Sequence, residues 1–472
     1  MRILTINIFL FLCLLISISC HTQKKSFTPE NKVVETKKWS KVNGEVKYSD
    51  WVKCNATTID QLPGFKSEKE AEFSRFGGDL ATKENSTGYY YTKKIGSKWW
   101  IIDPDGYGCW NVAMNGVRPG NSERNESALI SRYTTPEKWI LKTEKDLLEM
   151  GFNGAGCWSD TRLIQYANKE NAQSLSYTLI SNFYANYSRQ RKKIKTDDIS
   201  FAVFDPAFLA SCEEQAQKLS ETSSDPNLFG HFSDNELPFN EKILDEYLAC
   251  KDESDPNHQA ALSWLKSLGI SQNQLTNDNR QAFLGFVAEK YFSIASEAIR
   301  KFDPNHLYLG SRLHGKPKHT ESIVKAAGKY CDIISINYYG QWEPAQKHFD
   351  QWKSWADKPV LITEFYTKGD DSGMANNSGA GWRVKTQDDR GIFYENFCLK
   401  LLRMDNCVGW NWFRYMDNDP TDETADPSNN DSNKGIVNNL YEYYTPLINH
   451  MQRLNLNRYR LIRYFKKNEI NG

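Results

Sequence analysis

The chain predicts a (β/α)8 TIM barrel preceded by a small N-terminal β hairpin or cap. Three observations carry that prediction. Eight short apolar runs recur between residues 107 and 465. Amphipathic helical stretches fill the gaps between them, the pattern of parallel strands joined by crossover helices. Two of the runs end abruptly in carboxylates, as strands do where an α/β barrel collects its chemistry.

The eight candidate strands are Gly108 to Val117, Gly151 to Trp158, Leu175 to Asn182, Leu228 to Glu236, Leu307 to Leu313, Cys331 to Tyr339, Pro359 to Phe365 and Cys407 to Tyr415. Pro136 to Met150 carries apolar residues at helical spacing and stops at Gly151. Gln281 to Phe302, Glu321 to Lys329 and Asp389 to Met404 read as further helices, and Leu440 to Arg463 as a closing one. Pro238 to Asn279 is polar and reads as a long excursion after the fourth strand. Gly369 to Arg383 reads as a mobile loop over the mouth, and residues 417–433 as a second polar loop.

Ahead of the barrel, residues 46–106 form a small β-containing segment. Gly88 to Thr92 and Lys98 to Asp103 flank Ile95-Gly96 as a hairpin, and Pro104-Asp105-Gly106 makes a turn. Residues 1–20 read as a targeting signal. Arg2 precedes an apolar run from Ile6 to Ile18, too short to span a membrane as a helix. The run ends Ser17-Ile18-Ser19-Cys20 and looks like a bacterial lipoprotein signal, with Cys20 as the lipidated residue. Residues 21–45 then serve as a flexible tether. These features place the protein outside the cytoplasm, anchored by lipid to the cell envelope.

Composition narrows the function classes. The 59 basic and 59 acidic residues cancel and no basic block occurs, which argues against nucleic acid as a partner. Aromatics make up 13% of the chain; most pack the core, and some can cover the C–H faces of sugar rings. Eight cysteines follow Cys20 without a Cys-x-x-Cys pair or metal-finger spacing. Cys109, Cys157, Cys331 and Cys407 fall in strand-like runs as small core residues, with room for one disulfide elsewhere. No metal site and no cofactor are expected.

The chemistry centres on Leu228-Phe-Gly-His-Phe-Ser-Asp-Asn-Glu-Leu237 and on Pro359-Val-Leu-Ile-Thr-Glu-Phe365. Glu236 ends the fourth strand and Glu364 the seventh, so the two carboxylates can converge across one barrel mouth. Retaining glycoside hydrolysis needs one carboxylic acid to protonate the leaving oxygen and a second carboxylate to attack the anomeric carbon. A single strand-end glutamate is more often a salt-bridged structural residue; two, one of them preceded by Asn235, point to catalysis.

On these residues the chain resembles clan A of the retaining glycoside hydrolases. More narrowly it resembles glycoside hydrolase family 50, the β-agarases. The resembling pieces are Lys98-Trp-Trp-Ile-Ile-Asp-Pro-Asp-Gly106, Gly151-Phe-Asn153 with Trp158, and Gly230-His-Phe-Ser-Asp-Asn-Glu236. They continue in Asp303-Pro-Asn-His-Leu-Tyr-Leu-Gly310 with Arg312, Cys331-Asp-Ile-Ile-Ser-Ile-Asn337, and Gly409-Trp-Asn-Trp-Phe-Arg-Tyr415 with Asp417. The resemblance implies Glu236 as acid/base, Glu364 as nucleophile and Asn235 on the sugar 2-hydroxyl. It implies an agar-type galactan or its oligosaccharides as substrate. A clan A β-galactosidase or β-glucanase of other linkage preference is the alternative enzyme. A non-catalytic glycan-binding surface lipoprotein is the alternative of another class, which the intact Asn235, Glu236 and Glu364 disfavour.

Other strand-end residues receive provisional substrate contacts. Asn115 ends the first strand, and Trp158 offers a sugar platform after the second. Arg312 and His314 follow the fifth and can bind hydroxyls. Either Asn337 or Tyr338 on the sixth can steady the nucleophile. Trp410 and Trp412 share parity on the eighth, and one is expected to floor the reacting subsite. Asp417 and Asp419 lack calcium-loop spacing and read as loop solvation or sugar-hydroxyl contacts.

Overall fold

A computed structural model describes residues 32–43, 45–171, 173–195, 199–422, 424–425 and 429–470. The expected signal, Cys20 and the first part of the tether lie outside the described residues. The rest of the expected tether is built into the fold. Lys32–Lys37 is a strand, antiparallel to Val52–Ala56 on one side and to Trp382–Val384 on the other. Its alternation explains this, because Val34 and Thr36 turn inward and are fully buried. Trp39–Val42 and Glu45–Tyr48 follow as a hairpin.

The eight barrel strands are β1 (Asn111–Met114), β2 (Gly154–Ala155), β3 (Ser176–Ile180), β4 (Leu228–Phe232), β5 (Leu307–Gly310), β6 (Ile334–Asn337), β7 (Val360–Phe365) and β8 (Cys407–Trp412). Their order in the sheet is β5-β4-β3-β2-β1-β8-β7-β6, and every neighbouring pair is parallel. A parallel bridge between Leu313 and Ile336 joins β5 to β6 and closes the ring. Strands of such a barrel are covered on both faces, so they read as continuous apolar runs; all six residues of β7 are buried.

Packing falls into two layers. Phe229, Leu309, Leu361 and Val408 fill the barrel interior. A four-stranded antiparallel sheet (Asp79–Lys83, Tyr107–Cys109, Lys98–Ile102, Tyr91–Ile95) sits against the amino ends of the strands. From it and the preceding loop, Ile101, Tyr90 and Phe76 plug the interior, with Tyr90 edge-on to Phe229 at 5.2 Å. The outward strand faces pack on the helices, among them Asn277–Phe302 and Gln387–Arg403. Helix Thr445–Ile470 runs longer than expected and packs along Gln387–Arg403.

The polar stretch 238–279 is the long excursion expected after β4, and it folds helices Ile243–Leu248 and Pro256–Leu268. Ile243, Leu244 and Tyr247 form an apolar stripe too short to stand out by periodicity, and Tyr247 packs edge-on against Phe283 at 5.6 Å. The loop 369–383 does lie at the mouth, but it is tied down. The buried Lys368 amine donates to the carbonyls of Asn376 (3.3 Å), Ser378 (2.5 Å) and Gly379 (3.3 Å) and to the Tyr48 hydroxyl of the N-terminal hairpin. All eight cysteines after Cys20 are unpaired, and six of them are buried.

Candidate active site

The carboxyl ends of the strands converge on a cleft of about 810 Å³. Three residues just past β2, β4 and β5 hold left-handed backbone: Trp158 (φ +69°), Glu236 (φ +50°) and Arg312 (φ +52°). Such conformations cost side-chain-bearing residues about 1–3 kcal/mol each and persist where surrounding structure holds them, commonly at functional sites. The Glu236 amide donates to the Ser311 carbonyl at 3.1 Å, which fixes one turn against the other.

Asn235, Glu236 and Glu364 all line the cleft. Glu236 extends toward solvent, with 34% of its side chain exposed. Its Oε1 accepts from Asn337 Nδ2 at 2.6 Å, and His314 Nδ1 stands 3.9 Å away. The Asn337 amide is oriented in turn by Thr363, whose hydroxyl donates to Asn337 Oδ1 at 2.8 Å. Glu364 is only 6% exposed. Its Oε1 accepts from Arg312 Nη2 at 2.5 Å and its Oε2 from the Tyr339 hydroxyl at 2.6 Å. One neutral donor thus meets the solvent-facing carboxylate, and a cation plus a phenol meet the enclosed one. Charge-assisted bonds of the second kind fix the orientation of a carboxylate.

Arg312 is the hub. Its Nη1 donates to Asn235 Oδ1 at 3.0 Å while Nη2 serves Glu364 and the Thr363 carbonyl (3.2 Å). With Asn235 Oδ1 occupied, the Asn235 amide nitrogen is left to donate into the cleft. The expectation that Arg312 binds hydroxyls is therefore revised: the residue is fully enclosed, lies beneath the cleft and orients the groups that face it. Its guanidinium sits 5.7 Å from the Trp158 ring, supporting that half-exposed indole from below.

Tyr338 is not part of the site. It points into the helical layer, where its hydroxyl meets His348 Nδ1 at 2.7 Å and its ring packs on Trp352. Tyr339 takes the role offered to it, one position on and on the same side as Asn337. Burial, reinforced by the Glu364 charge, pushes the Tyr339 phenol well above its usual range, so it stays a donor. The alternation Asn337–Tyr339 was the signal available for it.

Trp410 and Trp412 do not floor the subsite. Both are fully buried on the outer face of β8, donating to the Tyr394 hydroxyl (2.8 Å) and the Lys434 carbonyl (2.9 Å) respectively. Asn411, between them, faces the interior and donates to Asn111 Oδ1 at 2.9 Å. Asn115 is fully buried below the carboxylates and donates to the Thr363 carbonyl at 2.7 Å. Gly156 makes room for it, since a Cβ there would stand 2.1 Å from Asn115 Oδ1. Asp417 reaches the cleft wall, but its carboxylate is taken by Asn433, the Gly435 amide and the Tyr444 hydroxyl. Asp234, next to the Asn-Glu pair, turns away to cap helix Phe183–Arg191 through the Tyr184 and Ala185 amides. Burial pushes its carboxyl up to about 7.

One cluster among the described residues has metal-ligand chemistry: His231, Asp303 and His306, all buried. Asp303 Oδ2 accepts from His231 Nε2 and His306 Nδ1, each at 2.7 Å, and His306 Nε2 meets the Asp225 carbonyl at 2.9 Å. Hydrogen bonds within the cluster already use these atoms. The triad lies outside the cleft and ties β4 to the loop before β5.

No family model matches the chain. β-agarase B of Vibrio sp. (strain JT0107) is 27% identical over 379 residues, covering 71% of this chain and 38% of that protein. β-agarase A of the same strain is 31% identical over 179 residues, covering 36% of this chain and 17% of the relative. The chain thus spans well under half the length of these curated relatives. Among solved structures, an agarase, AgWH50C, shares the fold at a TM-score of 0.69 and 22% identity, covering 83% of this chain and 67% of that one. The crystal structure of BpGH50 superposes at a TM-score of 0.80 with 31% identity, covering 92% of this chain and 96% of that chain. With that likeness along nearly the whole length of both chains, the chain belongs to glycoside hydrolase family 50.

Proposed function

We propose that the protein is a retaining glycoside hydrolase that cleaves β-galactosidic linkages of agar-type galactans or their oligosaccharides. The observation that carries this reading is the single network from Glu236 through Asn337, Asn235 and Arg312 to Glu364. Glu364 attacks the anomeric carbon while Glu236 protonates the leaving oxygen. A glycosyl-enzyme forms, and Glu236 then takes a proton from the water that releases the sugar. Glu236, the more exposed carboxyl, is the one that can exchange protons with solvent. The Asn235 amide donates toward the sugar 2-hydroxyl. Trp158 offers its face to a pyranose ring.

The agarase names of the Vibrio relatives support agar as the substrate class. Export and lipid attachment at Cys20 belong to the same proposal, supported by the apolar run from Ile6 to Ile18 and the cysteine that follows. No helix among the described residues is long and apolar enough to cross a membrane. The test is hydrolysis of agarose, neoagaro-oligosaccharides and aryl β-galactosides by wild type, Glu236→Gln and Glu364→Gln. The expected result is cleavage of an agar-type substrate by wild type, with a loss of about 10³-fold or more in each variant. Cleavage that survives either substitution overturns the assignment.

A further inference from the structure

We propose that Arg118 and Arg414 form an anion subsite on the β1/β8 wall of the cleft, which takes a sulfate ester or carboxylate carried by the galactan. The inference rests on the glycosidase reading above and narrows its substrate class. The cleft wall opposite His314 and Tyr339 is made by the loops after β1 and β8, and both arginines line it. Two other arginines at the cleft are matched within the protein. Arg312 has Glu364, and Arg124 has Asp419. Arg118 and Arg414 have no ion pair among the described residues, and the enclosed Arg414 Nε has no hydrogen-bond partner.

The carboxylates whose charge reaches Arg414 are already committed. Asp417 serves Asn433, Gly435 and Tyr444, and Asp422 accepts from the Thr424 amide and hydroxyl. Burial, with the Arg118 charge adding to it, pushes the Arg414 guanidinium down to about 10, against the opposing pull of the Asp417 and Asp422 charges. That side chain lies beside Gly116 of the β1 loop: a Cβ at residue 116 would be in ordinary contact with Arg414 Nε, at 3.4 Å. The two guanidiniums feel each other's charge and repel, and neither has an ion pair to offset it. Their planar forks match the oxygens of a sulfate or carboxylate. A neutral sugar hydroxyl neither needs nor repays such a pair.

The experiment measures binding and cleavage with matched galactan oligosaccharides: neutral, 6-O-sulfated and uronate-bearing. Calorimetry uses Glu364→Gln, and hydrolysis uses wild type. The expected result is at least tenfold tighter binding of one anionic oligosaccharide than of the neutral one at low salt. The preference should fall toward unity at 0.5 M salt and in both Arg118→Gln and Arg414→Gln. The sulfated and uronate arms identify which anion is read. Arg118 is solvent-exposed, so its variant remains informative if Arg414→Gln fails to fold. Equal or weaker binding of both anionic oligosaccharides overturns the proposal while leaving neutral-galactan hydrolysis intact. Anion-selective binding without any cleavage supports the subsite and overturns the hydrolase reading instead.

Discussion

Replacing Arg312 by lysine tests how the site is held together. The substitution keeps the positive charge and removes the fork. Arg312 reaches Asn235 Oδ1, the Thr363 carbonyl and Glu364 Oε1 from two nitrogens that point apart. A lysine ammonium is a single point and cannot serve Asn235 and Glu364 together. If it stays with Glu364, Asn235 loses its main anchor; if it moves to Asn235, the enclosed carboxylate keeps only Tyr339. One charge-assisted hydrogen bond is worth about 1.5–3 kcal/mol. Losing one of the pair should therefore lower kcat/KM by about 10–150-fold, mostly through kcat, because the misplaced group acts in the transition state. Arg312→Met removes both bonds and leaves a buried carboxylate without its cation, a destabilisation of about 3–5 kcal/mol. Steady-state kinetics on the best substrate of the panel, with thermal melts of both variants, read these effects. Wild-type kcat/KM in Arg312→Lys, or an unchanged melting temperature in Arg312→Met, would refute the hub role.

Three further outcomes follow from the geometry. Tyr339→Phe removes one donor to Glu364 and should cut kcat by about 10–100-fold, whereas Tyr338→Phe should leave kinetics unchanged and cost stability only. Trp158→Ala should raise KM with little effect on melting, while Trp410→Ala should cost about 3–5 kcal/mol of stability, read by denaturant titration. Asp303 is pushed up by burial, but hydrogen bonds from His231 and His306 outweigh this and hold its carboxyl well below the usual range. A depressed carboxylate contributes stability above the unfolded value near pH 4 and loses it as pH falls further. Acid unfolding of Asp303→Asn should thus lack part of the wild-type loss below about pH 4, and a chelator should leave the wild-type melting temperature unchanged.

The carboxylate pair proposed as catalytic was legible because it breaks a rule: buried apolar runs do not lead into carboxylates for packing reasons, and those of β4 and β7 both do. The barrel was legible for a related reason, since strands covered on both faces read as unbroken apolar runs. That same two-sided burial hid which face each residue takes. On β8 nothing in Cys407-Val-Gly-Trp-Asn-Trp412 separates inward from outward, and the tryptophans went to the helices while Asn411 turned in. On β6 the parity rule applied to Asn337 pointed to Tyr339 rather than Tyr338. The role of Arg312 depends on a left-handed backbone and on partners in β4 and β7, far away in sequence. The N-terminal strand at Lys32–Lys37 was missed because it is short and mostly polar, with only Val34 and Thr36 turned inward.

The proposed mechanism requires Glu364 to form a covalent glycosyl-enzyme with Glu236 as its proton shuttle. Incubation with a 2-deoxy-2-fluoro galactosyl donor, followed by peptide mass mapping, tests it directly. The fluorine slows both steps, and a reactive leaving group lets the first proceed. The expected result is one sugar adduct per chain, on the peptide carrying Glu364, still formed in Glu236→Gln when the leaving group needs no protonation. An adduct on Glu236, or no adduct together with inverted products from the natural substrate, would contradict it.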